Sequence, residues 1–325
     1  MLMLAGTQRS IFKKGNSLNR KSSMKISFII KENRKREKEL TSLLEQAENL
    51  IGFTEVAIFK TEFAGHAIIL ASEQVNNSNV IIAVGGDGTL NEVLNGVLKT
   101  PYKNTILGYF PLGTANDFQK TAGEILSVKH FINCLNNLSV KKINVGKLTC
   151  DSLNEKKIRH FINIADTGLG GFIAKRITQD SKNLGALLTY LKHTITGFLN
   201  YEKSIVTVKI DKQEYQGKLL SIAVCNGKVF GNGLIISPKA KLNDDLLQVT
   251  LLGNVSLWDY IKNLKSLKKG SLIINDNIHY YSAKSVVIYS SSTIETEADG
   301  EYIGGGKVSY ELLPYSINLL AVTKE

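Results

Sequence analysis

The sequence is short of cysteine, of long apolar runs and of the usual nucleotide-binding motifs. Its three cysteines have no CxxC spacing, which argues against a disulfide framework and a structural zinc site and indicates a reducing compartment. A membrane-spanning helix needs about 18 uncharged apolar residues. The nearest candidate, residues 184–199, is interrupted by Lys192 and His193. We therefore expect a globular, cytoplasmic protein with no membrane-spanning helix.

Acidic residues are absent from the first 23 positions, although the chain has 29 of them. We expect residues 1–23 to be a disordered or mis-annotated extension and Met24 to open the first strand, MKISFII; a targeting peptide is the alternative. The formal net charge of +11 favours anionic partners such as a nucleotide, an anionic lipid surface or nucleic acid. Because no nucleic-acid-binding module is recognisable, we expect no nucleic acid as a partner.

The pattern of apolar residues changes along the chain. Residues 24–138 alternate short apolar strands with helical segments, which predicts an α/β domain with a parallel sheet. Residues 139–314 are mainly strand-like and predict an antiparallel β domain, in which the polar segment DKQEYQG, 211–217, forms a turn. Pro314 separates the last two predicted strands. The final strand, 315–325, either returns to the first domain or closes the second.

The most informative segment is GGDGTLNEVLNG, residues 85–96, which follows a buried strand. It lacks the Lys-Ser/Thr end of a Walker A loop and the spacing of a GxGxxG turn. Its glycines allow close approach to a ligand, and the N–H groups of a helix N-terminus favour phosphate. Thr89 and Glu92 match a capping box for that helix. We expect a cation such as Mg²⁺ between phosphate and Asp87; a solvated turn carboxylate is the alternative.

A second glycine-containing turn, PLGTANDF at residues 111–118, follows the next strand. In an open parallel sheet, ligands bind outside the carboxyl ends of the strands, so both turns can meet the same nucleotide. Taken alone, Asn116-Asp117 would be an ordinary turn pair, and so would the Asp-Gly-Glu segment at 299–301.

Together, GGDGTLNEVLNG and PLGTANDF resemble the catalytic domain of the diacylglycerol kinase family, specifically its soluble bacterial lipid kinase branch. Further on, residues 226–249 resemble the family's metal loop, and EADGE at 297–301 resembles its DGE segment. The resemblance implies a two-lobed enzyme with the nucleotide in the cleft. Its first domain would be similar to those of NAD kinases and phosphofructokinases.

The resemblance also implies a function. The protein would be an ATP- and Mg²⁺-dependent lipid kinase that transfers the γ-phosphate of ATP to the hydroxyl of diacylglycerol or a related lipid alcohol. An NAD kinase-like small-molecule kinase and a non-catalytic nucleotide or lipid sensor are the alternatives. A lipid substrate at the membrane surface would make the protein peripheral to the membrane, and a homodimer is a candidate assembly.

Site residues are carried over from the resemblance position by position. Glu301 would accept the proton of the lipid hydroxyl, and Asp87 would hold the catalytic Mg²⁺ or its water shell. A structural Mg²⁺ would be bound by Asp244, with Lys241 and Leu246 acting through backbone oxygen or water. The residues assigned to ATP are Thr61, Gly85, Gly86, Asp87, Gly88, Thr89, Leu90, Asn91 and Thr114.

This chain departs from the family pattern in two places. The first strand runs into Lys31 and Glu32, where the family has an Asn-Pro loop at the nucleotide. In the metal loop, Asp245 stands where a glycine usually follows Asp244. The second change either adds a carboxylate to the metal site or constrains its turn.

Two segments offer candidate lipid contacts. In SLWDYIKNLKSLKK, 256–269, the lysines are separated in helical projection from an apolar face formed by Leu257, Tyr260, Ile261, Leu264 and Leu267. This pattern predicts either an interfacial helix on a lipid surface or an ordinary helix packed on the β domain. Residues 184–199 would cover the lipid slot or fill core.

Overall fold

The computed structural model describes residues 9–11, 24–32, 34–100, 104–152, 155–180 and 186–322. Its contacts divide the chain into two compact units. The first comprises residues 1–113, 123–142 and 317–325, and the second comprises 114–122 and 143–316. The predicted classes, α/β followed by mainly antiparallel β, are confirmed.

The described elements follow each other in chain order. Up to residue 151 they are β1 (Arg9–Ile11), β2 (Met24–Ile30), α1 (Glu37–Ala47), β3 (Phe53–Lys60), α2 (His66–Gln74), β4 (Val80–Gly85), α3 (Asp87–Leu98), β5 (Ile106–Pro111), α4 (Gln119–Ala122), α5 (Val128–Asn137) and β6 (Val140–Asp151). They continue with β7 (Lys156–Phe161), β8 (Ile164–Gly168), α6 (Leu169–Gln179), α7 (Ala186–Asn200), β9 (Ser204–Ile210), β10 (Gln213–Leu219), β11 (Ser221–Cys225), β12 (Val229–Phe230), β13 (Leu234–Ile235), β14 (Leu247–Leu252), α8 (Leu257–Lys269), β15 (Ile278–Ala283), β16 (Ser285–Ser290), β17 (Glu295–Ala298), β18 (Glu301–Gly305) and β19 (Lys307–Leu320).

The first unit is built on a parallel sheet in the order β3-β2-β4-β5-β19. Its central strands β2, β4 and β5 are mainly buried apolar runs because a parallel sheet is covered on both faces, whereas β3 is partly exposed. Alternate residues of β2, such as Phe28 and Ile30, share one buried cluster with Leu43 of α1 and Phe131 of α5. This sheet brings the carboxyl ends of β2, β3, β4 and β5 to one edge.

The N-terminal segment is described only at Arg9–Ile11, which pair antiparallel with β3. These three residues therefore depart from the predicted disordered extension, because β3 otherwise ends the sheet with unpaired backbone groups. The rest of residues 1–23 lies outside the described residues.

The second unit contains two antiparallel sheets. One has the order β15-β14-β11-β8-β17-β18, and the other contains β10, β9, β16 and the first part of β19. Val208 on β9, Ile222 on β11, Val249 on β14 and Tyr310 on β19 belong to one buried cluster. The inward-facing residues of both sheets therefore form a common core, as in a β sandwich.

The last strand is continuous, which corrects the prediction that Pro314 separates two strands. Before the proline, β19 pairs antiparallel with β16 as far as Glu311. After it, Asn318 and Leu319 pair parallel with β5. Pro314 lies between these two paired stretches, where its missing N–H interrupts neither ladder. Tyr315 has a φ of 46°, a left-handed conformation rather than an extended one, immediately after the proline.

The predicted turn at 211–217 is also wrong in extent. Residues 213–219 form β10, which pairs with β9 in the register Gln213↔Ile210. Only Asp211 and Lys212 connect the two strands, and Asp211 has a φ of 48°. The segment looked like a turn because β10 is exposed along most of its length and carries polar residues.

Cys134, Cys150 and Cys225 are buried free thiols. Among the helices that the structure describes, none combines the length and the apolar character needed to cross a bilayer.

Gly96 allows α2 and α3 to pack closely. A Cβ at this position would lie 2.4 Å from the carbonyl oxygen of Ile68 and 2.6 Å from Cβ of Ala71. Gly96→Ala should therefore lower the free energy of unfolding by about 1–3 kcal/mol, although alanine favours helix more than glycine does. Urea denaturation of the full chain measures the change. Gly197→Ala on α7 is the matched control, since only ends of the Leu169 and Ile173 side chains lie near; equal losses in both variants would contradict the argument.

Candidate active site

The strand-to-helix turn at Gly85 is fixed by backbone hydrogen bonds. The N–H groups of Leu112 and Gly113 both donate to the Gly85 carbonyl oxygen, at 2.7 and 3.1 Å. A Cβ at Gly85 would lie 2.4 Å from Oγ1 of Thr89, so a side chain does not fit there. Gly86 is the N-cap of α3 in extended conformation, and Asp87 lies in the first turn. The first N–H groups of a helix have no acceptor within the helix, and together with the helix dipole they favour an anion at this point.

The predicted capping box of Thr89 and Glu92 is wrong. Helix α3 begins at Asp87, so Thr89 lies inside its first turn and is not the N-cap. Gly86 is the N-cap, and it has no side chain to accept a hydrogen bond. Glu92 instead accepts a hydrogen bond from the backbone N–H of Ala67 at 3.2 Å. It thereby satisfies a donor in the first turn of α2, whose N-cap, Gly65, has no side chain.

A cavity of about 280 Å³ lies beside this turn in the first unit. Thr61 and Thr89, two of the predicted nucleotide contacts, both line it. Thr89 is 4% exposed, and its Oγ1 has no hydrogen-bond partner among the described residues. A buried hydroxyl without a partner is costly, so this oxygen is suited to a polar ligand in the cavity.

The cavity also has an aromatic wall. Phe63 lines it and is 57% exposed, while its ring stacks on His66 at 4.4 Å between centroids and an interplanar angle of 5°. The backbone N–H of Glu62 donates to Nδ1 of His66 at 3.1 Å, which fixes that ring. Sequence analysis missed Phe63 and His66, although they share the segment KTEFAGHA with Thr61.

The charged residues that replace the family's Asn-Pro loop line the same cavity. Glu32 forms an ion pair with Lys60 at 2.6 Å. Lys31 is exposed, and its backbone N–H donates to Val84 at the end of β4. The departure therefore adds a lysine at the cavity, where it favours an anionic ligand.

The remaining predicted nucleotide contacts are placed differently. Leu90 and Asn91 are fully buried, and Oδ1 of Asn91 accepts from the side chain of Asn95 at 3.2 Å. A contact from these two residues would therefore come from the start of the helix backbone. Gly88 lies between Asp87 and Thr89 in α3, whereas Thr114 is exposed and belongs to the second unit. The structure thus brings Thr61 and Thr89 of the turn at 85–91 to one cavity.

Asp117 is more than a turn residue. It is 5% exposed, and its carboxylate accepts hydrogen bonds from Lys120 at 2.7 Å and from the backbone N–H of Asn232 at 2.8 Å. Nearby, Oγ1 of Thr121 accepts from the backbone N–H of Lys228 at 3.0 Å. Residues 114–122 are therefore tied to the loops around β12, all within the second unit.

The predicted metal loop has oxygen donors that suit Mg²⁺. Asp245 has a φ of 58°, a left-handed conformation that explains why glycine is usual there. Its Oδ1 is buried and has no hydrogen-bond partner among the described residues, while Oδ1 of Asp244 accepts from the N–H of Leu246 at 3.3 Å. Across the described ranges there is no cluster of three or more His, Cys, Asp or Glu side chains that could hold a metal. Backbone carbonyls and water would therefore complete the coordination.

The DGE segment forms a tightly bonded turn in the second unit. The carboxylate of Asp299 accepts three backbone N–H groups, from Ile162, Asn163 and Ile164, at 2.9, 3.0 and 3.0 Å. Asp299 and Gly300 have φ values of 49° and 87°. Glu301 then begins β18 with an exposed side chain. This carboxylate is accessible and is held on a rigid turn.

Next to this turn, two carboxylates face each other on the neighbouring strands β8 and β17. Asp166 on β8 and Glu297 on β17 are direct partners in the antiparallel register. Burial raises the pKa of Asp166 to about 6, against hydrogen bonds from Ser221 and Gly170. Burial, followed by the charge of Asp166, raises the pKa of Glu297 well above its usual range. Sequence analysis missed this pair because only the sheet register joins the two residues.

Comparison with known proteins places this architecture in a family. The family model for the diacylglycerol kinase catalytic domain matches residues 27–148, and that for the YegS C-terminal NAD kinase beta sandwich-like domain matches 164–321. A protein of Yersinia enterocolitica named as a YegS-like lipid kinase is 32% identical over 246 residues, which are 73% of this chain and 77% of the relative. A diacylglycerol kinase of Staphylococcus saprophyticus is 28% identical over 259 residues, which are 78% of this chain and 80% of the relative.

A solved structure shares the fold. The crystal structure of a diacylglycerol kinase from Bacillus anthracis Sterne aligns with a TM-score of 0.69 at 20% identity, over 94% of this chain and 100% of that chain. This chain therefore has the architecture of that structure, an α/β unit followed by a β-sandwich unit. The chain belongs to the diacylglycerol kinase catalytic-domain family, in its bacterial lipid kinase branch, and the predicted family is confirmed.

The raised pKa of Asp166 predicts a pH-dependent stability. An aspartate in the unfolded chain has a pKa near 4. Between about pH 4 and pH 6, Asp166 therefore carries more bound proton in the folded than in the unfolded state. The contribution of Asp166 to the free energy of unfolding therefore falls as pH rises from about 4 to about 6 and is constant above. Asp166→Asn should consequently stabilise the protein more at about pH 8 than at about pH 4. Denaturant unfolding at both pH values tests this, with exposed Asp276→Asn as control; a pH-independent effect of Asp166→Asn would contradict it.

Proposed function

We propose that this lipid kinase transfers the γ-phosphoryl group of ATP to the hydroxyl of diacylglycerol or a related lipid alcohol. The observation that carries the proposal is the cavity at the N-terminus of α3, lined by Thr61 and by the unpartnered hydroxyl of Thr89. It lies in the part of the chain that matches the diacylglycerol kinase catalytic domain. The named diacylglycerol kinase relative supports the choice of acceptor.

ATP would be held by backbone and hydroxyl groups of the first unit. The N–H groups at the start of α3 bind its phosphates, and Thr61 and Thr89 donate hydrogen bonds. The exposed face of Phe63 offers a surface for the base. Asp87 would hold Mg²⁺ or its water shell, and the ion would neutralise phosphate charge when bound. Thr114 and the structural ion loop of Lys241, Asp244 and Leu246 keep their predicted roles in the second unit.

Glu301 acts as the proton acceptor. The lipid hydroxyl oxygen bonds to the γ-phosphorus as the bond between that phosphorus and the β–γ bridging oxygen breaks, and ADP leaves. The hydroxyl proton passes to the Glu301 carboxylate. The three hydrogen bonds to Asp299 and the Gly300 N–H bond to Glu297 hold the turn that carries this side chain.

The direct test is an acceptor panel with purified full-length protein and radiolabelled ATP with Mg²⁺. Diacylglycerol, other long-chain lipid alcohols and NAD are each supplied, and products are separated by thin-layer chromatography. Label in a phospholipid supports the proposal. Label in NADP, or no lipid product with any alcohol, refutes it.

Glu301→Gln should lower the turnover number by about 10²–10⁴-fold because a general base contributes that factor. Since Glu301 is exposed, unfolding temperature and ATP affinity should be unchanged. Steady-state assays on the accepted lipid measure the effect, with exposed Glu214→Gln on β10 as the matched control. Near-normal turnover in Glu301→Gln would remove the residue from this role.

Thr89→Val should weaken ATP binding about ten- to a hundredfold, because valine keeps the shape of threonine but cannot bond a charged phosphate. Isothermal titration calorimetry with a non-hydrolysable ATP analogue and Mg²⁺ measures the affinity directly. Thr54→Val, on β3 and outside the cavity lining, should bind normally. Unchanged affinity in Thr89→Val would show that this cavity is not the nucleotide site.

A further inference from the structure

Helix α7 exposes a stripe of aliphatic side chains. Leu188, Leu191, Ile195 and Leu199 are 61, 49, 43 and 70% exposed. Their spacing of three and four residues places them on one face of the helix. The buried residues His193 and Thr194 belong to other faces. The apolar stripe therefore lies outside the core of the second unit.

Helix α8 also exposes apolar side chains, though not through the face predicted from the sequence. Leu267 is buried, and Tyr260 and Leu264 pack against the same core cluster, so most of the predicted apolar face is internal. Instead, Trp258 and Ile261 are 62 and 46% exposed. They share the outer face of the helix with four exposed lysines, Lys262, Lys265, Lys268 and Lys269.

The two helices are neighbours within the second unit. The ring of Phe198 on α7 lies 5.2 Å from that of Tyr260 on α8, measured between centroids. We call the exposed residues of both helices the docking face: Leu188, Leu191, Ile195, Leu199, Trp258 and Ile261. Beyond α8, Leu272 and Ile274 are 44 and 100% exposed and extend the apolar surface along the chain.

The charges around the docking face are mainly positive. Nζ of Lys262 lies 5.2 Å from the centroid of the Trp258 ring. Of the nearby acids, Asp180 pairs with Lys192 and His193 at 2.9 Å each, and Asp259 closes the capping box with Ser256. Glu202 and Asp276 are exposed beyond the ends of the two helices. The lysines of α8 therefore present net positive charge beside exposed apolar side chains, a combination that suits an anionic lipid surface.

We propose that the docking face binds the surface of an anionic lipid bilayer, with its aliphatic side chains and Trp258 at the acyl boundary and the lysines at the headgroups. The proposal rests on the proposed function in one respect, since a lipid acceptor would be reached from that surface. The chemistry favours a bilayer over a second copy of the chain because two such basic faces would repel each other.

Trp258 provides a direct reporter because it is the single tryptophan of the sequence. Full-length protein is mixed with vesicles of equal parts phosphatidylglycerol and phosphatidylcholine, or with phosphatidylcholine alone. With the anionic vesicles we expect sedimentation, a blue shift of Trp258 emission and quenching by brominated acyl chains. Raising salt from about 0.1 M to about 0.5 M should reduce binding, since screening weakens charge attraction. Absence of sedimentation, or sedimentation with unchanged Trp258 emission, would overturn the proposal.

Two variants separate the apolar and charged contributions. Leu191→Gln combined with Ile195→Gln and Leu199→Gln should weaken partitioning at least tenfold while keeping Trp258. Lys265→Gln combined with Lys268→Gln and Lys269→Gln should weaken it about a hundredfold, at roughly fivefold for each lysine near an anionic surface. The matched controls are Ile205→Gln, 70% exposed on β9, and exposed Lys212→Gln.

The controls should bind vesicles like the parent protein, and all variants should keep its circular dichroism and unfolding temperature. Unchanged vesicle binding by both triple variants would refute the docking face. Light scattering without lipid tests a second copy as the occupant: a dimer that both triple variants disrupt would overturn the bilayer assignment.

A short-chain assay distinguishes this proposal from the proposed function. Dioctanoylglycerol in detergent micelles reaches the enzyme without a bilayer, so both triple variants should phosphorylate it at the parent rate. On long-chain diacylglycerol in anionic vesicles their rates should fall with their binding. If the parent protein phosphorylates no lipid yet binds vesicles through Trp258, the proposed function fails and the docking face stands.

Discussion

The first unit of this protein depends on one steric constraint, the lack of space for a side chain at Gly85. Its carbonyl oxygen receives the N–H groups of Leu112 and Gly113, so the exits of two neighbouring strands are joined at one point. Oγ1 of Thr89 occupies the space where a Cβ would be. Because Thr89 is held there, it lines the cavity with an unpartnered hydroxyl, and helix α3 starts at the strand end with its N–H groups available for phosphate.

The second unit positions its carboxylates differently, by backbone hydrogen bonds and partial burial. Asp299 makes a left-handed turn rigid because its two oxygens receive three backbone donors. Such bonds to a charged acceptor are stronger than neutral ones and compensate for removing the charge from water. The pair Asp166 and Glu297 is less well compensated, which is why burial raises both pKa values. At neutral pH, Asp166 and Glu297 therefore lower the free energy of unfolding, and they lie beside the turn that carries Glu301.

Fold class and most elements of the first unit could be predicted from the sequence because parallel strands are continuous apolar runs with clear ends. The capping box could not, because the partner of Glu92 is a backbone donor on another helix, Ala67. Likewise, the alternating polar residues of β10 resemble a turn when the pairing strand is unknown. The motifs indicated Thr61, but the aromatic wall beside it depends on the stacking of Phe63 on His66, which spacing alone does not specify.

In the docking-face proposal, helix α8 takes part through a different face from the one that its amphipathic pattern indicated. Its strongest apolar face packs against the core, where Leu267 is buried. The proposed membrane contact therefore depends on the opposite side of the helix, which has fewer apolar residues. On that side, Trp258 and Ile261 alone would bind a bilayer weakly, and the lysines alone would bind any polyanion. The aliphatic stripe of α7 supplies the missing apolar area. A surface that combines both terms would bind anionic bilayers reversibly, as the proposed transfer requires, since its donor would be in water and its acceptor in lipid.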